Sequence, residues 1–274
     1  MRLALLAPTS MLQEFASQSD GIHLTLAYMA LKDPLYAAWY RARSEEGDTI
    51  ILDNNAYENR EPAPTSELIE AAKRVGATTV VAPDYPGQDW HKTWDAFRRF
   101  TNELPAQYKI LGIPQSKSGD VEGWSNCWQL MLESGMGGEA RGRLSHLGMS
   151  ILAAPCAFHE LTGTDDIELN RLAATVHLRQ HSLGKYLYEG HNIKVHYFGF
   201  GERMDVLPCY KGFGDSMDTK GPIKSALNGM SEMSGRMPRG SSVKLDMSKD
   251  YTNLDGHTRA KIQRNIDNLK RWMQ

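Results

Sequence analysis

Three aspartates in this 274-residue chain stand where short strand candidates end. Ile50-Ile51-Leu52 runs into Asp53-Asn54-Asn55-Ala56-Tyr57-Glu58, Val80-Val81-Ala82 into Pro83-Asp84-Tyr85-Pro86, and Asp215-Ser216-Met217 into Asp218-Thr219. Between them, Ile110-Leu111-Gly112-Ile113 ends in Pro114-Gln115, and Tyr197-Phe198-Gly199-Phe200 ends in Gly201-Glu202. One strand-end aspartate is commonly only a helix cap. Three of them, with a glutamine and two tyrosines on what would be one rim, argue for a site. Paired carboxylates suit displacement at a sugar carbon, one attacking C1′ and the other giving and taking the proton. A third carboxylate can accept two parallel N–H bonds from a guanine-like base. Tyr57 and Tyr85 are placed to stack on that base. Enzymes that handle a glycosidic bond to a purine and hydrolases of a sugar or nucleoside both fit these residues.

Such a rim needs parallel strands that end together. Strand candidates are Arg2–Ala7, Ile22–Ala27, Thr49–Asp53, Thr78–Ala82, Tyr108–Ile113, His146–Ala153, Lys194–Phe200 and Asp215–Asp218. Helical periodicity fills the intervals at Thr25–Arg43, Ser66–Arg74, Trp90–Glu103, Val121–Ser134, Ile167–Glu189 and Ile223–Gly229. Alternating β and α units with no linker favour a single-domain (β/α)8 TIM-like barrel over residues 1–274, and barrels keep their chemistry at the C-terminal ends of the strands. The first strand has no GxGxxG after it, which argues against a dinucleotide fold. Thr65-Ser66-Glu67 and Thr164-Asp165-Asp166 read as helix starts. From Gly256 on, Ile262, Ile266, Leu269 and Trp272 recur at helical spacing, so 256–273 is expected to close the barrel as a terminal helix.

Composition narrows the class. Hydrophobic residues make up 41% and charged residues 23% of the chain, as in ordinary globular proteins. The longest nearly apolar run, Ile151–Phe158, is interrupted by Pro155 and falls far short of the ~20 residues a membrane span needs. Met1–Leu6 runs directly into Pro8 and reads as a first buried strand rather than a signal peptide. Cys127, Cys156 and Cys209 offer neither a disulfide framework nor a CxxC knuckle, so a soluble cytoplasmic protein without a metal or other cofactor is expected. The net charge of −2 is unevenly spread. From Lys220 to Gln274 there are 11 Lys/Arg against 5 Asp/Glu, a net +6, on a remainder with 20 against 28. A basic tail on an acidic body points to a polyanionic partner. Arg236, Arg239 and Lys244, in an aperiodic stretch over 228–253 expected to be a mobile loop, are its candidate phosphate contacts.

The motifs LDNNAYE, APDYP, LGIPQ, YFGFGE and DSMDT occur in this order along most of the chain. Together they resemble the strand-end motifs of the tRNA-guanine transglycosylase-like superfamily, in particular its DNA-directed branch, called DpdA, which installs 7-deazaguanine in DNA. The resemblance implies Asp218 as the nucleophile at C1′, Asp53 as general acid/base and Asp84 as the reader of the guanine edge. Gln115 and the Gly148 backbone match positions that contact the same base. Gly199 and Gly201 are glycines of a late-strand loop that can cradle a phosphate, although tight turns account for them as well. The implied partners are DNA and a free 7-deazaguanine base; tRNA-directed exchange and hydrolysis are the alternatives, and a catalytically silent DNA-binding barrel is a third reading. Two departures stand out. No Cys/His cluster occupies the last third, where the tRNA enzymes hold zinc. The family's glycine pair after the first aspartate is Asn54-Asn55 here. His159, His191 and His196 are read as structural or surface histidines.

Overall fold

The computed structural model describes residues 1–181, 193–200, 206–230 and 245–274. Eight short strands form one all-parallel sheet: β1 (Arg2–Leu5), β2 (Ile22–Leu26), β3 (Thr49–Asp53), β4 (Thr79–Val81), β5 (Lys109–Gly112), β6 (Leu144–Met149), β7 (Lys194–Tyr197) and β8 (Ser216–Thr219). From β2 to β8 each strand pairs with its successor, and β8 returns to pair with β1. The remaining seam lies between β1 and β2. There the Leu3 N–H donates to Asp20 Oδ2 and the Leu5 N–H to Ser19 Oγ, so side chains of the connecting loop satisfy the β1 edge. The chain is a (β/α)8 TIM-like barrel.

Around the sheet run α1 (Ala27–Lys32), α2 (Pro34–Glu45), α3 (Ala56–Asn59), α4 (Thr65–Val75), α5 (Trp90–Glu103), α6 (Val121–Gly137), α7 (Ala153–Thr162), α8 (Ile167–Gln180), α9 (Leu207–Tyr210), α10 (Gly221–Leu227) and α11 (Gly256–Met273). The two faces of each strand divide the core. Leu3, Leu5, Ile50, Leu52, Val80, Leu147, Val195 and Met217 are buried beneath the helices, while their sequence neighbours turn into the barrel. Among the described residues no helix is long and apolar enough to cross a membrane.

Four expectations change. The single helix expected over Thr25–Arg43 is two, because Pro34 cannot continue a helix and Asp33 caps the new one, accepting from the Leu35 and Tyr36 N–H groups. The strand expected over His146–Ala153 stops at Met149. The apolar run beyond it forms α7, whose Ala153, Ala154, Ala157 and Phe158 are buried at helical spacing, so helix and strand were indistinguishable there by hydropathy alone. The Thr65-Ser66 cap is absent, since the helix starts directly after Pro64. In the terminal helix Ile262, Ile266 and Leu269 are buried as expected, whereas Trp272 is 42% exposed. The packing face instead includes Asn265, whose amide donates to the Pro222 carbonyl and ties α11 to α10.

Candidate active site

Asp53, Asp84 and Asp218 line one pocket at the C-terminal ends of the strands, with about 990 Å³ of empty space including its open mouth. Asp53 is the last residue of β3 and Asp218 the third residue of β8, both facing inward, and Asp84 follows β4. They are 9%, 2% and 4% exposed for Asp53, Asp84 and Asp218 respectively. Tyr57 and Glu58, on the single-turn α3, stand at the mouth, and Gly199 and Phe198 form part of the wall.

The three carboxylates meet different surroundings. Burial pushes Asp53 well above the ordinary carboxylate range, and the negative charges of Glu58, Asp84 and Asp218 push in the same direction. The protonated form of Asp53 is therefore favoured. Burial also raises Asp84, to about 6, against hydrogen bonds that favour its carboxylate. Those bonds come from two amides: Asn54 Nδ2 donates to Oδ1 at 2.6 Å and Gln115 Nε2 to Oδ2 at 2.5 Å. The Asn54 amide cannot be turned round, because its Oδ1 accepts from the Ala56 N–H and its Nδ2 also donates to the Ala82 carbonyl. Asn55 takes the left-handed conformation (φ 65°), the one place in this turn where a glycine would be easier. The Asn54-Asn55 pair thus makes the turn and fixes the carboxylate after the neighbouring strand.

Asp218 sits among donors. Its Oδ1 is 3.2 Å from His196 Nε2 and 3.0 Å from the Gly199 N–H. His196 is fully buried, which rules out the surface alternative for that residue, and its ring touches Asp218. The signal was available, since His196 sits on the inward face of β7 opposite Ser216, two residues before Asp218 on β8. Gly199 has its N–H engaged by Asp218 and φ at 65°. This is a different task from holding a phosphate.

The remaining sequence candidates divide. Gln115 is buried behind Asp84 rather than on the pocket wall. Gly148 is also off the wall: a Cβ there would come within 2.6 Å of the Phe198 ring and 2.8 Å of Ile113, so the glycine leaves room for those two side chains. Tyr85 lies beyond the pocket with the Lys92 ammonium 3.9 Å from its ring centroid. Asp215 stands just before β8, at the opposite end of the barrel, and accepts from the Val195 N–H. Gly201, Glu202, His191, Arg236, Arg239 and Lys244 lie outside the described residues, as does most of the stretch expected to be mobile.

Three pocket residues were not singled out in the sequence. Glu58 closes the LDNNAYE motif, and its carboxyl is raised by loss of hydration, with Lys220 opposing. Lys220 also lies 5.5 Å from the Tyr57 ring centroid, and Lys224 follows it on α10. Their adjacency to Asp218 was the available sign. No protein-family model matches this chain, and no curated protein matches it either.

Proposed function

We propose that this protein exchanges guanine in DNA for a 7-deazaguanine base through a covalent aspartyl–deoxyribose intermediate. The observation that carries the reading is the contrast within one pocket: Asp53 held as an acid by burial and acidic neighbours, and Asp218 surrounded by hydrogen-bond donors. A displacement at C1′ needs that division of labour. Asp218 attacks C1′ and the departing base takes the Asp53 proton. The incoming base then gives its N–H proton to the Asp53 carboxylate and attacks C1′ as the bond to Asp218 breaks. Two displacements retain the anomeric configuration. Asp84, with a second lone pair on each oxygen, accepts from the guanine edge. Tyr57 stacks, and Lys220 and Lys224 face the phosphates. The target nucleotide must leave the helix to reach the pocket.

The second reading is hydrolysis, favoured by Glu58 at an open mouth where water has access. Mass spectrometry of nucleosides from DNA of cells expressing the protein with a deazaguanine supply separates the two. A modified base supports exchange; abasic sites support hydrolysis; the four ordinary nucleosides alone would overturn the proposal.

A further inference from the structure

We infer that His196 is a positioning residue that selects which oxygen of Asp218 attacks. This rests on the reading of Asp218 as the nucleophile. The register places His196 directly across from Ser216, and Asp218 next along the same inward face. The imidazole bridges the two, with Nδ1 2.8 Å from Ser216 Oγ and Nε2 3.2 Å from Asp218 Oδ1. The Phe198 ring stands edge-on at 4.7 Å between centroids, and the imidazole has no exposed surface. It is therefore held in place on both sides.

A carboxylate only accepts hydrogen bonds, so Nε2 carries the hydrogen in the pair with Asp218. In the neutral ring Nδ1 is then an acceptor, and the Ser216 hydroxyl donates to it. The serine thus fixes the tautomer that presents a donor to the nucleophile. The Gly199 N–H converges on the same oxygen. Oδ1 has two donors, while Oδ2 has no hydrogen-bond partner among the described residues.

The consequence is a division between the two oxygens. Oδ2, with its electron pairs free, forms the bond to C1′. Oδ1 becomes the carbonyl oxygen of the ester and keeps both donors. When the second base attacks, the C1′–Oδ2 bond breaks and its electron pair returns to the carboxylate, whose charge the His196 and Gly199 donors meet without rearrangement.

The test uses His196→Phe, which keeps a ring but removes the donor, and His196→Gln, whose amide N–H reaches the position of Nε2. Exchange of labelled guanine into a guanine-containing DNA duplex is measured for each folded variant. The Phe variant should lose about 10–100-fold in kcat with KM for DNA changed less than about twofold, as for a lost transition-state donor. The Gln variant should recover most of the loss. Wild-type kcat in the Phe variant overturns the inference, and so does equal loss in both, which would make the ring's shape rather than its donor responsible. If the Phe variant does not fold, Ser216→Ala replaces it: kcat should fall several-fold at constant KM, and an unchanged kcat overturns the inference. Nitrogen-15 spectra of the imidazole are read in parallel. A protonated Nε2 whose resonance moves in Asp218→Asn upholds the contact even if the wild type shows no base exchange, a result that would sink the functional reading alone. An Nδ1–H tautomer would sink the inference alone.

Discussion

Asp53 and Asp218 are the same residue type at the same kind of address, the end of an inward-facing strand on a shared pocket, and their surroundings are opposite. The β3–β4 side gathers acids: Asp53 is buried with Glu58, Asp84 and Asp218 as its charged neighbours. The β7–β8 side gathers donors, an imidazole and a backbone N–H, on one oxygen of Asp218. Strand ends therefore fix where a carboxylate sits, and the next one or two residues on the neighbouring strand fix what it can do. A proton donor needs neighbours that penalise charge, and a nucleophile needs neighbours that accept it.

The harshest way to break this comparison is to remove the proposed nucleophile. Asp218→Asn should fold, because a rim residue contributes little to the core, and base exchange should fall by on the order of 10³-fold or more. Normal exchange by the folded variant would remove Asp218 from its role. Asp53→Asn comes next. General acid–base groups contribute about 10²–10⁴-fold, so a large loss is again expected, and it should be smaller with a substrate whose leaving base needs no protonation. Equal losses with good and poor leaving groups would contradict Asp53 as the acid.

Asp84 sharpens the comparison, because two amides and burial pull it in opposite directions. Asp84→Ala should weaken guanine binding by about 1–3 kcal/mol while leaving chemistry on bound substrate less affected. Since the accepting form is the carboxylate, guanine affinity should rise as pH rises through about 6 and fall below it. Stability runs the other way. A carboxyl raised by burial favours the folded state below the usual carboxylate range, and that contribution is lost as pH rises through about 6. Guanine competition across pH 4.5–8, on the order of a few units about that midpoint, gives the check: a flat profile in the wild type would detach Asp84 from the base.

Much of this was legible in the sequence. The barrel followed from alternating apolar runs and helical stretches, and Asp53, Asp84 and Asp218 followed from where those runs stop. Contacts between strands were harder to see. His196 looked like a strand histidine because its role depends on the β7–β8 register, and register is set by pairing rather than by local pattern. Arg171 is a stronger case. It is fully buried on α8, pairs with Glu168 at 3.2 Å and donates to the Met149 carbonyl at the end of β6. Periodicity alone would place an arginine there on the solvent face. Asn54-Asn55 was visible only as a departure from a glycine pair; its meaning depends on Asp84, thirty residues away.

The mildest intervention is the most specific to the comparison. Glu58 is the charged neighbour that raises Asp53 most, and it stands at the mouth opposite Lys220. Glu58→Gln removes that negative charge while keeping the side chain's size. With less repulsion, the ionised form of Asp53 costs less, so Asp53 releases its proton at lower pH than in the wild type. The alkaline limb of the rate profile, which reports loss of the acid, should move toward acid. The plateau rate should change by less than about threefold, since a partly solvated neighbour is a weak electrostatic partner. Lys220→Met should move the limb the other way, toward alkaline pH. Loss of the cation beside Glu58 leaves the negative charges around Asp53 less compensated, so the ionised form of Asp53 costs more. If both variants keep the wild-type limb, Asp53 is raised by burial and by Asp84 and Asp218 without Glu58, and Glu58 belongs to substrate binding or to water access instead.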